Sequence, residues 1–277
     1  MKDSFRQLQA MVYSGRGITI GMTPAGNAFI GYTLTGRSPP SQARELVQSE
    51  SGVIRTQPIV EDAGGSAALL FYPAIVPVTN DMLIASNGSQ TNLIFSEAIN
   101  YFNDDGSLNS DMLNHGSILD GKGPEKILRQ AMKESTFLYD SQQDRWIDLT
   151  ASEPDAPNNT PRISGCLIPP EAALCINTES RSIRFGNTFN IALSPGKAYS
   201  IMTYAGGNES PLRPFEGSPL EAAAICSETS QDIAESLYEA IHGGSHPGEN
   251  YRVAAAVMMQ KPEGLETAII NRSERGD

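Results

Sequence analysis

Gly17-Ile18-Thr19-Ile20-Gly21-Met22-Thr23, then Pro24-Ala25-Gly26, then Asn27-Ala28-Phe29-Ile30-Gly31-Tyr32-Thr33-Leu34 is the stretch whose reading decides the fold. Two runs rich in β-branched and aromatic residues flank a short proline- and glycine-bearing turn, which is the pattern of a β-hairpin. Outward from it, strand patterns recur at 66–78, 82–86, 162–168, 172–177, 181–186, 198–204, 251–259 and 266–270, most of them short and separated by turn residues. Helical patterns are fewer. The segment 217–226 offers Ser218 as an N-cap and Pro219 at the first helical position. Residues 230–242 repeat Ile233, Leu237 and Ile241 four apart, and 124–134 opens on Pro124. Strands therefore come in hairpin-like groups with helices between groups, which predicts an α+β fold with antiparallel sheets rather than a doubly wound parallel sheet. The polar stretches 103–123 and 141–159 read as long loops, and 271–277 as a frayed tail. No internal repeat divides the chain; its length permits one large domain or two small ones, and a single domain over residues 1–277 is the expectation.

A chain of 277 residues can bury a large core, and it contains no run near the eighteen apolar residues that a membrane span needs. The first residues lack the sustained apolar segment of an export signal, so the cytoplasm is the expected location. The net charge of −12 opposes a nucleic-acid surface, which needs clustered Lys and Arg to displace counterions. A phosphorylated ligand must then be small and met by local arginines. Cys166, Cys175 and Cys226 form no CxxC pair, and the first two sit among apolar neighbours, as reduced structural thiols do. His242 and His246 stand in a glycine-rich turn, a weak pattern for a metal, and no metal site is expected. Neither a dinucleotide fingerprint, a phosphate-binding P-loop, an HExxH motif nor a GxSxG elbow is present. Gly15-Arg16-Gly17 and Gly64-Gly65 lack the strand-to-helix context those motifs require. No cofactor is expected.

Three polar clusters stand out: Gly36-Arg37-Ser38-Pro39-Pro40-Ser41-Gln42-Ala43-Arg44, Ser86-Asn87-Gly88-Ser89-Gln90-Thr91, and Asn158-Asn159-Thr160-Pro161-Arg162-Ile163-Ser164-Gly165. Guanidinium forks and hydroxyls suit a phosphate or a developing oxyanion, and the glycine at 88 lets backbone approach a ligand. The competing reading of each is a solvated turn, and spacing alone leaves both open. Glu153, just ahead of the third cluster, is either a general base or a solvated loop carboxylate. Tyr204, at a strand end before Gly206-Gly207, is either a stacking platform or a core residue.

In order, Tyr13-Ser14-Gly15-Arg16-Gly17, Gly36-Arg37-Ser38, the 86–91 cluster, Asn159-Thr160-Pro161-Arg162-Ile163 and Thr203-Tyr204 resemble the archaeal-type IMP cyclohydrolase family over roughly residues 12–260. The resemblance implies a four-layer α-β-β-α sandwich with two facing, mostly antiparallel sheets, like that of N-terminal-nucleophile hydrolases, without a processed N-terminus. It implies closure of the purine ring of 5-formamidoimidazole-4-carboxamide ribonucleotide (FAICAR) to inosine monophosphate (IMP) and water, without cofactor or metal. By the resemblance, Arg37, Tyr72 and Glu153 are the catalytic residues, with Ser38, Arg44, Asn87, Gly88, Ser89, Asn159, Thr160, Arg162 and Tyr204 binding a purine ribonucleotide. Phe71-Tyr72-Pro73-Ala74 departs from the family's usual surroundings of its tyrosine, and 103–150 carries extra loop sequence. The partner is then a small molecule, not nucleic acid or membrane, and a homo-oligomer is allowed. An amide hydrolase on the same fold, or a nucleotide-binding protein that turns nothing over, are the alternatives.

Overall fold

The hairpin of residues 17–34 forms the centre of the first of two large sheets. In the computed structural model, which describes residues 3–60, 67–115, 121–180, 183–222, 224–242 and 250–276, β1 (Arg16–Met22) pairs antiparallel with β2 (Ala28–Thr35). The connecting turn closes on itself, with Thr23 N–H donating to Asn27 O at 2.9 Å and Asn27 N–H to Thr23 Oγ1 at 3.2 Å. Every residue of β2 is buried, which places this strand under cover on both faces.

The chain continues through β3 (Arg44–Gln48), β4 (Ile54–Pro58), β5 (Pro73–Thr79) and β6 (Met82–Ser86) to helix α1 (Thr91–Ala98) and helix α2 (Pro124–Ala131). A small hairpin of β7 (Phe137–Asp140) and β8 (Arg145–Asp148) leads to β9 (Arg162–Ile168), β10 (Glu171–Ser180), β11 (Ile183–Ala192), β12 (Lys197–Met202) and β13 (Leu220–Glu221). Helix α3 (Ser230–Ala240) precedes the last strands, β14 (Arg252–Lys261) and β15 (Gly264–Asn271). One sheet has the order β13-β12-β1-β2-β14-β15 and the other β11-β10-β9-β6-β5-β4-β3, with every pairing antiparallel.

Period-two alternation explains why the sheets face each other between helices. Along β6, Leu83 and Ala85 join the core shared with the first sheet while Met82 and Ile84 join the cluster beneath α1 and α2. Along β9, Ile163 and Leu167 point to the shared core and Cys166 and Ile168 to the helical side; β10 divides the same way. A Cβ on Gly165 would stand 3.0 Å from Ile18 and 3.1 Å from Ile20, so the sheets meet closely there. On the far side of the first sheet, α3 is capped by Thr229, which accepts from Asp232 N–H, and lays Ile233, Ala234, Leu237 and Tyr238 onto β2, β14 and β15. The result is a four-layer α-β-β-α sandwich with two antiparallel sheets facing each other, as expected.

Local departures have physical reasons. The helix expected over 217–226 is not formed. Leu220–Glu221 pairs with the edge of β12, and Ala222 and Ile225 donate to Ala198 and Gly196 carbonyls at 2.8 Å each, so a free strand edge wins over local propensity; Ala223 lies outside the described residues. The strand expected over 66–78 starts only at Pro73, after a helical turn at Ala67–Leu70, with residue 66 not described. Within the stretches read as loops lie Ser110–Asn114, a helical turn, and β8, while 116–120 are not described. Residues 181–182 of an expected strand lie outside the described residues, and β11 runs on to Ala192. In the segment read as a tail, Asn271 bonds both main-chain groups of Leu46, at 2.9 and 3.0 Å, and a helical turn at Arg272–Arg275 follows, in which Arg275 pairs with Glu235 and Glu239. Cys166 and Cys175 are buried free thiols, and burial raises both, Cys175 to about 11. His246 lies outside the described residues, and among those described no group of His, Cys, Asp or Glu converges as a metal would require.

Candidate active site

A cleft of about 290 Å³ opens where the start of β1, the β2–β3 connection, the segment before β9 and the segment after β12 meet. The β1 side contributes Tyr13, Gly15 and Arg16, and the β2–β3 connection contributes Arg37, Ser38, Ser41 and Arg44. Glu153, Asp155 and Thr160 come from the segment before β9, and Tyr204 from the segment after β12. Gly15 is required where it stands, because its φ is +74° and a Cβ would lie 2.0 Å from Thr203 Oγ1 and 2.6 Å from Tyr204. That close approach carries Arg16 into the cleft.

The centre of the arrangement is an ion pair between residues 137 apart in sequence: Arg16 Nη2 donates to Glu153 Oε2 at 2.8 Å. Glu153 is 2% exposed, and its N–H donates to Thr160 O at 2.8 Å. Its second oxygen, Oε1, is enclosed and has no hydrogen-bond partner; Arg162 Nη1 stands 3.9 Å away. Burial pushes the Glu153 carboxyl above the usual carboxylate range, against the opposing pull of Arg16 and Arg162. For Arg16, burial opposes the charge, but Glu153 and the nearby tyrosines Tyr72, Tyr32 and Tyr204 more than offset it, so the guanidinium stays charged.

A second set of bonds holds this pair from behind. Arg162 Nη1 donates to Gln90 Oε1 at 3.0 Å and Nη2 to Asp148 O at 3.3 Å. Asn87 accepts from Ile163 N–H at 2.8 Å and donates to Pro161 O at 2.8 Å, clamping the Pro161–Ile163 backbone in place. A Cβ on Gly88 would stand 2.6 Å from Gln90 Oε1, 2.7 Å from Arg162 Nη1 and 3.4 Å from Glu153 Oε1, so a larger residue there would push these side chains aside. The cluster 86–91 thus underlies the site instead of lining it. Across the cleft, Thr160 Oγ1 bonds both Asp155 and the Tyr204 hydroxyl, and Tyr204 stacks on Tyr13 with ring centroids 5.7 Å apart. Burial raises the hydroxyls of Tyr13 and Tyr204; three arginines, Arg16, Arg44 and Arg37, pull Tyr13 the other way.

Of the residues expected from the sequence, the structure brings Arg37, Ser38, Arg44, Glu153, Thr160 and Tyr204 to one cleft. Asn87, Gly88 and Arg162 lie behind Glu153. Tyr72 does not line the cleft: it is 3% exposed and its hydroxyl bonds that of Tyr32 at 2.8 Å. Ser89 is half-buried outside the lining, and Asn159, exposed and left-handed at φ +47°, faces a neighbouring depression. The arginine hydrogen-bonded to Glu153 is Arg16, not Arg37, whose Nη1 donates to Asn208 Oδ1 at 3.1 Å and Glu209 O at 3.2 Å with its guanidinium 5.2 Å from the Tyr13 ring centre. Sequence reasoning passed over Arg16, Tyr13 and Asp155 as site residues; the signal available was the arginine between two glycines in Tyr13-Ser14-Gly15-Arg16-Gly17.

A buried carboxyl with one oxygen paired and one unsatisfied, set among guanidinium and hydroxyl groups, can take a proton from a bound N–H and steady the charge that results. The class so defined is an α+β sandwich with a charged small-molecule cleft where strand ends and connections of both sheets meet. Comparison with known proteins narrows it. The profile of the family described as IMP cyclohydrolase-like protein matches residues 13–112. An IMP cyclohydrolase of Methanococcus maripaludis is 24% identical over 197 residues, covering 70% of this chain and 75% of that protein. The chain is thus similar to the IMP cyclohydrolase family, as its motifs suggested.

Proposed function

We propose that this protein is an IMP cyclohydrolase that closes the purine ring of FAICAR to give IMP and water in de novo purine biosynthesis, as one cytoplasmic domain and without a cofactor. The observation that carries the reading is the enclosed, unsatisfied Oε1 of Glu153 beside its 2.8 Å ion pair with Arg16. Ring closure joins the carboxamide nitrogen to the formyl carbon. The carboxamide nitrogen loses one proton, the formamide nitrogen loses the other, and the formyl oxygen leaves with both as water. Glu153 is suited to accept the carboxamide proton, since burial brings its basicity closer to neutrality. Arg16, charged and adjacent, takes the oxyanion-steadying part expected of Arg37. The Asp155–Thr160–Tyr204 chain supplies hydroxyls for the departing oxygen. Tyr72 acts through Tyr32 and the field at Arg16, as a positioning group. Much of the rate advantage of such a site comes from holding the formyl and carboxamide groups together, because the reaction is intramolecular once the substrate is bound in a reactive conformer.

The test is to mix the protein with FAICAR, follow the ultraviolet change of ring closure against the uncatalysed background, and identify IMP as the product. Acceleration supports the proposal. Binding of FAICAR or IMP without acceleration would replace it with a nucleotide-binding role.

A further inference from the structure

Two enclosed groups of opposite charge face each other behind the cleft without bonding. Glu153 Oε1 has no hydrogen-bond partner and neither has Arg162 Nε, although Arg162 Nη1 stands only 3.9 Å from that oxygen. A buried donor and a buried acceptor left apart are costly, and a short ion pair would satisfy both, so something must hold the guanidinium back. The bonds of Arg162 show what does: Nη1 donates to Gln90 Oε1 at 3.0 Å and Nη2 to Asp148 O at 3.3 Å. Gln90 is fully buried at the entrance of α1, where its main-chain oxygen accepts from the N–H groups of Leu93 and Ile94. Its side chain does not cap that helix. The amide nitrogen donates instead to Asn87 Oδ1 at 2.8 Å and Ile163 O at 3.4 Å. Those two acceptors fix the orientation of the amide, with its nitrogen toward oxygens and its oxygen toward the guanidinium.

We propose that Gln90 is a positioning residue for Glu153: by holding Arg162 on its side-chain oxygen, it keeps Glu153 Oε1 free to accept an N–H from the ligand. Arg16 already occupies Oε2. A second guanidinium on Oε1 would fill the remaining acceptor and weaken the carboxylate as a base, because an opposite charge that close favours the ionised form. The charges facing the carboxyl are Arg16 from β1 and Arg162 from β9, which favour ionisation, and Asp155 from its own segment, which opposes it. Arg162 is faced in turn by Asp148 and Asp155, and Arg37, Arg44, Tyr13 and Tyr204 line the same cleft as Glu153. A neutral amide at position 90 suits this task. It binds a guanidinium nitrogen without setting a like charge beside Glu153. The restraint stands on the geometry alone; its part in turnover rests on the cyclisation reading.

Carbon-13 titration of the Glu153 carboxyl, in the full chain labelled at glutamate and assigned by its absence from Glu153→Gln, reads the restraint without turnover. The pH profile of FAICAR ring closure is measured on the same preparations. Gln90→Met removes the acceptor and releases Arg162. It is expected to lower the titration midpoint by about 1 pH unit or more, to carry the acid limb of kcat/KM down with it, and to reduce kcat by about tenfold or more. Gln90→Glu keeps an acceptor for Arg162 and adds a like charge near Glu153, so it is expected to raise the midpoint. General loosening of the core would instead move both variants the same way. Adding Gln90→Met to Arg162→Met, where there is no guanidinium to release, is expected to lower nothing further. A midpoint within about 0.3 pH unit of parental in folded Gln90→Met, shifts of one sign in both variants, or an undiminished fall in the absence of Arg162 overturns the proposal. If Gln90→Met does not fold, the sign of the Gln90→Glu shift decides. Midpoints that move as stated in a protein that closes no ring would keep the restraint and sink the cyclisation reading, whereas ring closure with unmoved midpoints would do the reverse.

Discussion

Replacing Arg16 by Met removes one half of a 2.8 Å ion pair whose side chains are 10% and 3% exposed. Breaking such a pair by taking away one partner costs about 3–5 kcal/mol, mostly because the other charge is left enclosed. Two features lower that figure here: Arg162 remains 3.9 Å from the other carboxylate oxygen, and the carboxyl can escape by taking up a proton. The expected loss is therefore about 3 kcal/mol near pH 8, read as a lower urea midpoint with an unchanged slope. Its pH dependence has a definite sign. Arg16 pulls the Glu153 carboxyl down, so removing it raises the folded-state value further above that of the unfolded chain. A group so raised contributes stability fully present below the unfolded value and lost as pH rises through the folded one, so the deficit of Arg16→Met shrinks on going from pH 8 to pH 5. The double variant Arg16→Met/Glu153→Gln should cost less than the sum of the single changes by at least about 1.5 kcal/mol. Single variants that unfold within about 0.5 kcal/mol of the parent, or that add without coupling, would refute a buried Arg16–Glu153 pair at the centre of the site.

Other consequences can be checked separately. If Glu153 accepts the proton, kcat/KM falls as pH drops through its raised value, so the acid limb should lie above the ordinary glutamate value of about 4.3 and be absent from Glu153→Gln; a limb at the ordinary value, or one that persists in the variant, counts against it. Thr160→Val leaves the Tyr204 hydroxyl and Asp155 without their shared partner and should cost about 1–3 kcal/mol in urea unfolding together with part of the turnover; a neutral change would show that this chain of hydroxyls is idle. Gly165→Val pushes methyl groups into Ile18 and Ile20 of the facing sheet and should destabilise by about 1–3 kcal/mol while sparing the site; tolerance of the change would mean the sheets do not meet there.

The hairpin of residues 17–34 was legible because both its runs and its turn carry local signals, and the same holds for β6, β9 and α3. Even the two covered faces of the sheets are written as apolar runs, since Met82-Leu83-Ile84-Ala85 has no polar residue to turn outwards. Segments that depend on a neighbour were not legible. Residues 217–226 look helical in isolation, yet Leu220–Glu221 within them pairs with the edge of β12, and α1 begins within a cluster that reads as a turn. In the site the pattern repeats. Polar clusters mark where ligand-facing and clamp residues fall, but not which is which: Asn87 and Gly88 serve the Pro161–Ile163 backbone and Arg162 from behind, whereas Arg44 turns towards the cleft. The Arg16–Glu153 contact joins residues 137 apart in sequence, and no local signal reports a partner at that distance.

The most direct test of the account is a side-by-side measurement of FAICAR ring closure by the parental protein and by Glu153→Gln, whose folding is verified by urea unfolding. The account predicts that the parent forms IMP well above the uncatalysed rate and that the variant, keeping the shape of the side chain but unable to take a proton, loses on the order of 10²-fold or more in kcat while product affinity changes little. A folded variant with near-parental turnover, or a parent no faster than background, would contradict it.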